Sequence, residues 1–233
     1  LIVEGEYKIL VDTGIGNKQD NKFFGHYFLN GEHNLIESLK AVDIHPDEIT
    51  HVILTHLHFD HCGGAVCRNT AGEYMPVFKN ARHIISKAQW ELANNPNKRE
   101  RPSYKKENFL PLHEHGLVDF IDSDTELIPE LQLRLYDGHT SGQIIPFIRF
   151  QKETIVYMAD LIPVIPLIPA QYVCGYDTRP LKTLHEKEVF MQEAVENEYI
   201  LIFEHHLYHE CCNLKMAEKG VRPDKQGALK SFI

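Results

Sequence analysis

Short apolar runs, separated by polar segments that favour turns, predict that the chain is organised as a series of β-strands. Residues 1–12 have the pattern of a hairpin, with two apolar runs around Glu4-Gly5. The run His51-Val-Ile-Leu-Thr55 is apolar at its centre and predicts a buried strand. The remaining predicted strands cover residues 82–86, 118–121, 131–136, 144–150, 154–158 and 199–203.

Helical spacing of apolar positions predicts three helices. In residues 34–42, Asn34 is suited to cap a helix whose apolar face contains Leu35, Leu39 and Val42. The other predicted helices cover residues 87–94 and 181–197, and the second of these has clearly separated apolar and charged faces. Because strands are followed by helices twice along the chain, we expect an α/β fold that forms a single domain over residues 1–233.

The composition of the chain excludes several classes of protein. The 233 residues are 43% hydrophobic and carry a net charge of −9, which suits a globular domain and argues against a nucleic-acid partner. The longest apolar stretch, residues 161–170, contains three prolines and is too short to span a membrane. Five cysteines, two of them adjacent, favour reduced thiols and a cytoplasmic location. The chain starts within a hairpin, so we expect that upstream residues, with any targeting signal in them, are missing.

One segment departs from the acidic character of the chain. Residues 94–106 are polar, basic and punctuated by proline, and further strands follow them. We therefore expect a surface excursion within the domain, formed by a solvated loop.

Histidine is unusually frequent, with 15 in the chain. Four of the six residues from His56 to His61 are of types that bind metals, namely His56, His58, Asp60 and His61. They follow a predicted buried strand, whose end would present alternate residues to one side, and Gly63-Gly64 would let the loop turn sharply. Imidazole and carboxylate at this density are typical of a site for zinc or another borderline divalent metal.

Three later residues have the same setting. His139, Asp160 and His205 each come shortly after a predicted strand. Taken singly, an Asp or a His in such a position is usually a turn or capping residue. A catalytic pair of metals needs more ligands than the first cluster offers, so we expect these three residues to complete it.

The order of these residues resembles the five metal motifs of the metallo-β-lactamase superfamily. The matching positions are His56, His58, Asp60, His61, His139 within Gly138-His139-Thr140, Asp160 and His205, preceded by Asp12-Thr13-Gly14. The resemblance implies an αββα sandwich of two similar halves, here lacking upstream strands. It also implies two divalent metal ions in each chain, with Zn²⁺ as the expected metal. His56, His58 and His139 would bind one ion, Asp60, His61 and His205 would bind the other, and Asp160 would bridge them.

Within that superfamily, the chain is most similar to the quorum-quenching lactonases, which open N-acyl homoserine lactones. The similarity is carried by Tyr157–Pro163, Gly175-Tyr-Asp177 and the residues before His205, whereas His206 stands where that branch commonly has Asp. The sequence leaves open a thioesterase, a phosphotriesterase or an aryl-ester hydrolase on the same metals. An iron-dependent oxidoreductase is a further alternative.

The implied reaction uses a hydroxide held by two zinc ions to open a lactone or ester, with Asp60 and Asp160 as the catalytic carboxylates. Proline at every third position of residues 161–169 favours an extended segment. This segment would either wall a cleft for an acyl chain or cross the core irregularly, and the sequence leaves both open. The candidate substrate contacts are Ile162, Ile165, Leu167, Tyr172 and Tyr176. A small-molecule substrate is thus the expected partner, and the sequence does not indicate an oligomeric state.

Overall fold

The computed structural model describes residues 1–31 and 33–233. They form two compact units, an N-terminal unit of Leu1–Ile121 and a C-terminal unit of Asp122–Ile233. Each unit contains a mixed sheet, helices and a hydrophobic core, which confirms the predicted α/β class. No helix in the described ranges combines the length and apolar character that a membrane span requires. All five cysteines are free, as expected.

The N-terminal unit is built on a five-stranded sheet. The unit has seven strands, five of them in this sheet: β1 (Ile2–Glu4), β2 (Tyr7–Val11), β3 (His51–Ile53), β4 (Val66–Arg68), β5 (Tyr74–Pro76), β6 (Arg82–Ser86) and β7 (Val118–Ile121). The order β1-β2-β3-β6-β7 is parallel except for the β1–β2 hairpin, and β4 pairs only with β5. The helices are α1 (Asn21–Phe24), α2 (Leu35–Lys40), α3 (Phe59–Cys62), α4 (Lys87–Asn94) and α5 (Leu110–Glu114).

The parallel strands place the functional loops of this unit at one edge. Because β2 and β3 run in the same direction, their carboxyl ends lie side by side. Asp12 directly follows β2, and the chain after β3 leads through buried Leu54 and Leu57 into α3. Burial of the strand on both faces explains its continuous apolar pattern, and it gives the loop a rigid base.

The C-terminal unit is built on a seven-stranded sheet. Its strands are β8 (Thr125–Ile128), β9 (Leu131–Tyr136), β10 (Gln143–Phe150), β11 (Glu153–Tyr157), β12 (Ile200–Ile202), β13 (Cys211–Ala217) and β14 (Gly220–Gly227). The order is β14-β13-β12-β11-β10-β9-β8, and only the β11–β12 pair is parallel. One long helix, α6 (Pro180–Glu196), buries Phe190, Met191 and Ala194 in the core of this unit.

Strand direction also brings together the loops of this unit. Strands β9 and β11 are each antiparallel to β10, and β12 is parallel to β11. Consequently β9, β11 and β12 all run the same way, and their carboxyl ends lie at the same edge. His139, Asp160 and His205 follow these three ends.

Two sequence expectations require correction. Val42 is exposed because α2 ends at Lys40, and the left-handed Asp43 then turns the chain away. The proline-rich segment is not extended throughout, since Ile165–Leu167 forms a turn of 3₁₀ helix. The fixed φ of proline is compatible with the first turn of a helix, so the proline spacing did not enforce an extended path.

Candidate metal centre

Asp12 organises the histidine loop of the N-terminal unit. Its carboxylate accepts hydrogen bonds from the backbone N–H and the hydroxyl of Thr55, both at 2.8 Å. Its Oδ2 atom also lies 3.0 Å from Nδ1 of His61. Asp12 is buried with a φ of 55°, a left-handed conformation that these contacts hold in place. The contact on Nδ1 directs the other nitrogen of His61, Nε2, away from Asp12 and makes it available to a metal.

Three buried imidazoles lie together in this loop. Nε2 of His56 is 3.0 Å from Nδ1 of His58, and the ring centroids of His56 and His61 are 3.9 Å apart. Nδ1 of His56 lies 3.1 Å from the hydroxyl of Thr55. Asp60, on α3, is partly exposed, with Oδ2 at 3.7 Å from Nε2 of His61. The four residues predicted as ligands in this unit are therefore neighbours in space.

Gly63 and Gly64 are required by close backbone approach. A Cβ atom at Gly63 would lie 2.1 Å from the carbonyl oxygen of Ile15, and one at Gly64 would lie 2.1 Å from that of Thr13. Gly63 has an ordinary helical φ of −60°, so the predicted reason, a sharp turn, is wrong for this residue. The backbone N–H of Thr13 donates to the carbonyl of His61 at 2.7 Å, which ties the two loops together.

Asp160 is the centre of the cluster in the C-terminal unit. One carboxylate oxygen lies 3.0 Å from Nε2 of His139, and the other lies 3.2 Å from Nε2 of His205. On its other side, Nδ1 of His139 is 3.0 Å from the carboxylate of Asp177. Glu204 adds a second carboxylate to His205, at 3.1 Å from Nε2. One Asp side chain thus contacts two imidazoles through different oxygens, which is the arrangement that a bridging ligand requires.

The electrostatics of this cluster favour a cation. Burial lowers the pKa of His139, but Asp160 and Asp177 outweigh it and raise the pKa to about 9. Burial likewise opposes protonation of His205, while Asp160 and Glu204 raise its pKa to about 10. The carboxylates therefore hold positive charge beside them, which protons or a divalent metal would supply.

Helix α6 holds the loop that carries His139. The Glu186 carboxylate accepts the backbone N–H groups of Asp137 and Gly138 at 2.9 and 2.8 Å. A Cβ atom at Gly138 would come within 2.4 Å of the hydroxyl of Thr183, so this loop contacts the helix directly. The backbone N–H of Thr178 donates to the carbonyl of His139 at 3.0 Å. The position of His139 is thus set by the start of α6 as well as by β9.

A buried lysine on α6 holds the segment between Asp160 and Asp177. The ammonium of Lys187 donates to the carbonyls of Leu167, Pro169 and Tyr172, at 2.6, 3.3 and 2.6 Å. Burial lowers the pKa of Lys187 to about 8, and Asp177 opposes this effect. The segment carries at its two ends the carboxylates that hold both nitrogens of His139, so Lys187 supports them indirectly.

The residues predicted to contact substrate fall in two environments. Ile162 and Ile165 are buried in the hydrophobic core of the C-terminal unit, and Leu167 is half-buried beside it. Tyr172 and Tyr176 are exposed. These five substrate contacts remain predictions.

Besides Asp12, three residues of the site were not assigned a role from the sequence. Asp177 and Glu204 hold predicted ligands, and the ring centroid of Tyr104 lies 5.0 Å from that of His58. Glu204 directly precedes His205, and this adjacent carboxylate was an available signal. Asp177 is distant in sequence from His139, and no local spacing relates the two.

The donor set fits a pair of divalent metal ions. His61 and His139 each have Nδ1 against a buried carboxylate, the pairing that orients metal-binding histidines and selects the nitrogen that faces the metal. Imidazole and carboxylate ligands without thiolate suit zinc. Cys62 belongs to neither group of potential ligand side chains among the described residues, and its buried thiol donates to the carbonyl of Leu57 at 3.4 Å.

Comparisons with known proteins agree with this chemistry. The family model of the metallo-beta-lactamase superfamily matches residues 1–201. An N-acyl homoserine lactonase of Bacillus thuringiensis is 32% identical over 168 residues, which cover 68% of this chain and 60% of the relative. The match thus spans less than two thirds of that relative.

Solved structures show that the chain also resembles known proteins in its fold. A probable metal-dependent hydrolase from Staphylococcus aureus is 26% identical and superposes with a TM-score of 0.85, over 95% of this chain and 78% of that chain. AidC, a dizinc quorum-quenching lactonase, has a TM-score of 0.77 at 21% identity, over 95% of this chain and 76% of that chain. At this lower identity, the likeness concerns the fold alone. The α/β fold implied by the sequence motifs is confirmed.

Proposed function

The chain belongs to the metallo-β-lactamase superfamily, and from this premise we propose that it is a metal-dependent hydrolase that opens a lactone or ester. We further propose an N-acyl homoserine lactone as the substrate. The observation that carries the proposal is the contact of the Asp160 carboxylate with both His139 and His205, in a cluster where a second carboxylate orients His139. The likeness to a lactonase of Bacillus thuringiensis supports the substrate class.

The metal centre is proposed to draw ligands from both units, which would then act as a single domain. His56, His58 and His139 would hold one ion, Asp60, His61 and His205 would hold the other, and Asp160 would bridge them. When bound, two divalent ions of this kind supply a nucleophilic water near neutral pH and polarise the carbonyl under attack. Zinc is proposed because the ligands are imidazoles and carboxylates.

The protein side chains would orient the reactants and move protons. Asp60 is partly exposed beside His61. Its carboxylate would accept a proton from the attacking water and return it to the leaving alkoxide. Asp160 would be the shared ligand, because its two oxygens contact two different imidazoles. The fixed orientation of His139 between Asp160 and Asp177 would keep this geometry unchanged during turnover.

Metal analysis together with a substrate panel tests the proposal. Protein purified with zinc should contain about two ions per chain, and it should hydrolyse an N-acyl homoserine lactone faster than a glutathione thioester, a phosphotriester or a β-lactam. A thioester or phosphotriester as the best substrate would replace the proposed lactone while retaining the metal centre. Iron in place of zinc, with a visible absorption band, would support the oxidoreductase alternative.

Substitution of single ligands tests the residue assignments. Asp160→Ala and His58→Ala should each lower kcat/KM by about 10³-fold or more, because the two metals act as a unit, and should reduce metal content. His185→Ala is the matched control, since His185 is an exposed histidine on α6. Full activity in either ligand variant would contradict that residue's role.

A further inference from the structure

The basic segment of the chain is anchored to the histidine loop. Residues 98–106 contain five cationic side chains, at Lys98, Arg99, Arg101, Lys105 and Lys106. The sequence predicts a solvated loop here, yet Glu100 and Tyr104 are buried. The backbone of Tyr104 forms an isolated antiparallel bridge with that of His58, and the two rings are in contact. The segment is therefore held beside a proposed metal ligand.

A cavity opens where this segment leaves α4. Its volume is about 450 Å³, and its lining includes Asn94, Asn95, Arg101, Tyr104 and Lys106. Among the residues that the structure describes, no carboxylate lines it. Within the described ranges, neither Arg101 nor Lys106 has an acidic partner within ion-pair distance. The cavity therefore combines two uncompensated cations with two neutral amides, next to the tyrosine that contacts His58.

Charge at this cavity is opposite to that of the whole chain. The net charge of the protein is −9, so an anionic ligand is repelled from most of the surface and attracted only where cations gather. Guanidinium, ammonium and amide groups are the donors that bind carboxylates through charge-assisted hydrogen bonds. The volume lies within the range of small-molecule sites and accommodates a short acyl chain.

We propose that this cavity binds an anionic group at the far end of the substrate's acyl chain, so that Arg101 and Lys106 select carboxylate-bearing lactones or esters over neutral ones of equal length. The proposal rests on the hydrolase function proposed above, since it concerns which acyl group is presented to the metals. It assigns to the basic segment a role in specificity.

Two matched esters test the selectivity. The 4-nitrophenyl ester of hexanoic acid is neutral, whereas the mono-4-nitrophenyl ester of adipic acid has the same chain length and a terminal carboxylate that is ionised at neutral pH. In both, water adds to the acyl carbon, the bond to the aryl oxygen breaks, and 4-nitrophenolate leaves with the acid as co-product. The zinc-loaded protein should show about tenfold higher kcat/KM for the adipate ester, and added salt should reduce that preference.

Variants that replace cationic side chains with neutral ones identify the residues that cause the preference for the adipate ester. Arg101→Gln combined with Lys106→Gln should bring the ratio of kcat/KM for the two esters close to one. Lys98→Gln is the matched control, because it removes one cation from the same segment outside the cavity lining and should leave the preference intact. Equal handling of the two esters by the unaltered protein, or an unchanged preference in the double variant, would overturn the proposal.

A binding measurement separates this inference from the proposed function. If neither ester is hydrolysed, the hydrolase proposal fails, but calorimetric titration with monomethyl adipate still reports on the cavity. Monomethyl adipate should bind the unaltered protein, dimethyl adipate should bind at least tenfold more weakly, and the double variant should lose the difference. Equal affinity for the charged half-ester and the neutral diester, or no binding of either, counts against an anion site.

Discussion

Single contacts fix the orientation of the predicted metal-binding histidines. The Asp177 carboxylate lies 3.0 Å from Nδ1 of His139, and it is fully buried. We expect Asp177→Asn to lower zinc affinity by about 10- to 100-fold. The neutral amide orients the His139 ring less strongly, and the negative charge beside the ring is lost. Competition with a chromophoric chelator measures this change. Asp224→Asn, in an exposed ion pair with Lys215, serves as the control and should bind zinc normally.

His83 is a second residue whose environment has a measurable consequence. It is fully buried on β6, and neither ring nitrogen makes a well-formed hydrogen bond within the described residues. Burial lowers its pKa from 6.5 to about 4, against weak favourable contributions from the carbonyls of Leu117 and Ala81. Between these two pH values the unfolded chain binds a proton that the folded chain does not. Stability should therefore fall as the pH drops from about 6.5 to 4.

The loss attributable to His83 is about 3 kcal/mol over that interval. His83→Leu replaces the titrating group with an apolar side chain of similar size. The free energy of unfolding of this variant should therefore fall by about 3 kcal/mol less between pH 6.5 and 4. Urea unfolding at several pH values provides the measurement. An equal decrease in the free energy of unfolding in His83→Leu and in the unaltered chain would show that other groups cause the loss of stability at low pH.

At the scale of elements, α6 supports the cluster of the C-terminal unit through its buried lysine. Lys187→Met keeps most of the apolar stem but leaves the carbonyls of Leu167, Pro169 and Tyr172 without their donor. We expect a loss of about 2–4 kcal/mol in the free energy of unfolding, since buried acceptors would remain unsatisfied. Lys152→Met removes an exposed lysine and should change stability by less than about 0.5 kcal/mol.

The matched pair of lysine variants is compared by urea denaturation and zinc affinity. A stability for Lys187→Met equal to that of Lys152→Met would mean that water replaces the lysine at the three carbonyls.

Elements with strong local signals were predicted well from the sequence. The helix at Lys87–Asn94 and the strand at Arg82–Ser86 have the predicted bounds, because the Ser86 side chain caps the helix at the junction. Strand β14 was missed, since its sequence contains glycine, proline and charged residues and it lies at the edge of its sheet. Pairing with β13, rather than an apolar pattern, specifies it.

The limits of prediction in the site have a similar origin. His56, His58, Asp60 and His61 are close in sequence, so their pattern was visible, and strand ends identified His139, Asp160 and His205. The partners of these ligands come from distant segments. Asp12 and Asp177 lie in segments that contributed to the family resemblance, but their contacts with His61 and His139 form only in the folded chain and could not be read from the sequence.

At the scale of the whole molecule, bound metal is expected to contribute strongly to stability. Ligands that bind only the folded state stabilise it by about 4 kcal/mol at a concentration 1,000 times their Kd. For a chain of this size, that corresponds to a rise of roughly 10 °C in Tm. Because the proposed centre takes ligands from both units, zinc should also make their unfolding a single transition.

Scanning calorimetry with zinc and with a chelator tests this expectation. The metal-loaded chain should unfold in one sharp transition, whereas the chelated chain should unfold at lower temperature in a broader or divided one. Identical traces under the two conditions would contradict a centre shared by the units.

The close contact of Gly63 and Gly64 with residues 13–15 has a practical consequence for redirecting the protein towards new substrates. Any side chain larger than hydrogen at these glycines would push apart the two loops that hold His61. Combinatorial libraries should therefore leave this junction untouched and concentrate diversity at Asn95, Arg101 and Lys106, which line the cavity proposed to bind the acyl group. Variants chosen in that way would explore new acyl groups while retaining an intact histidine loop.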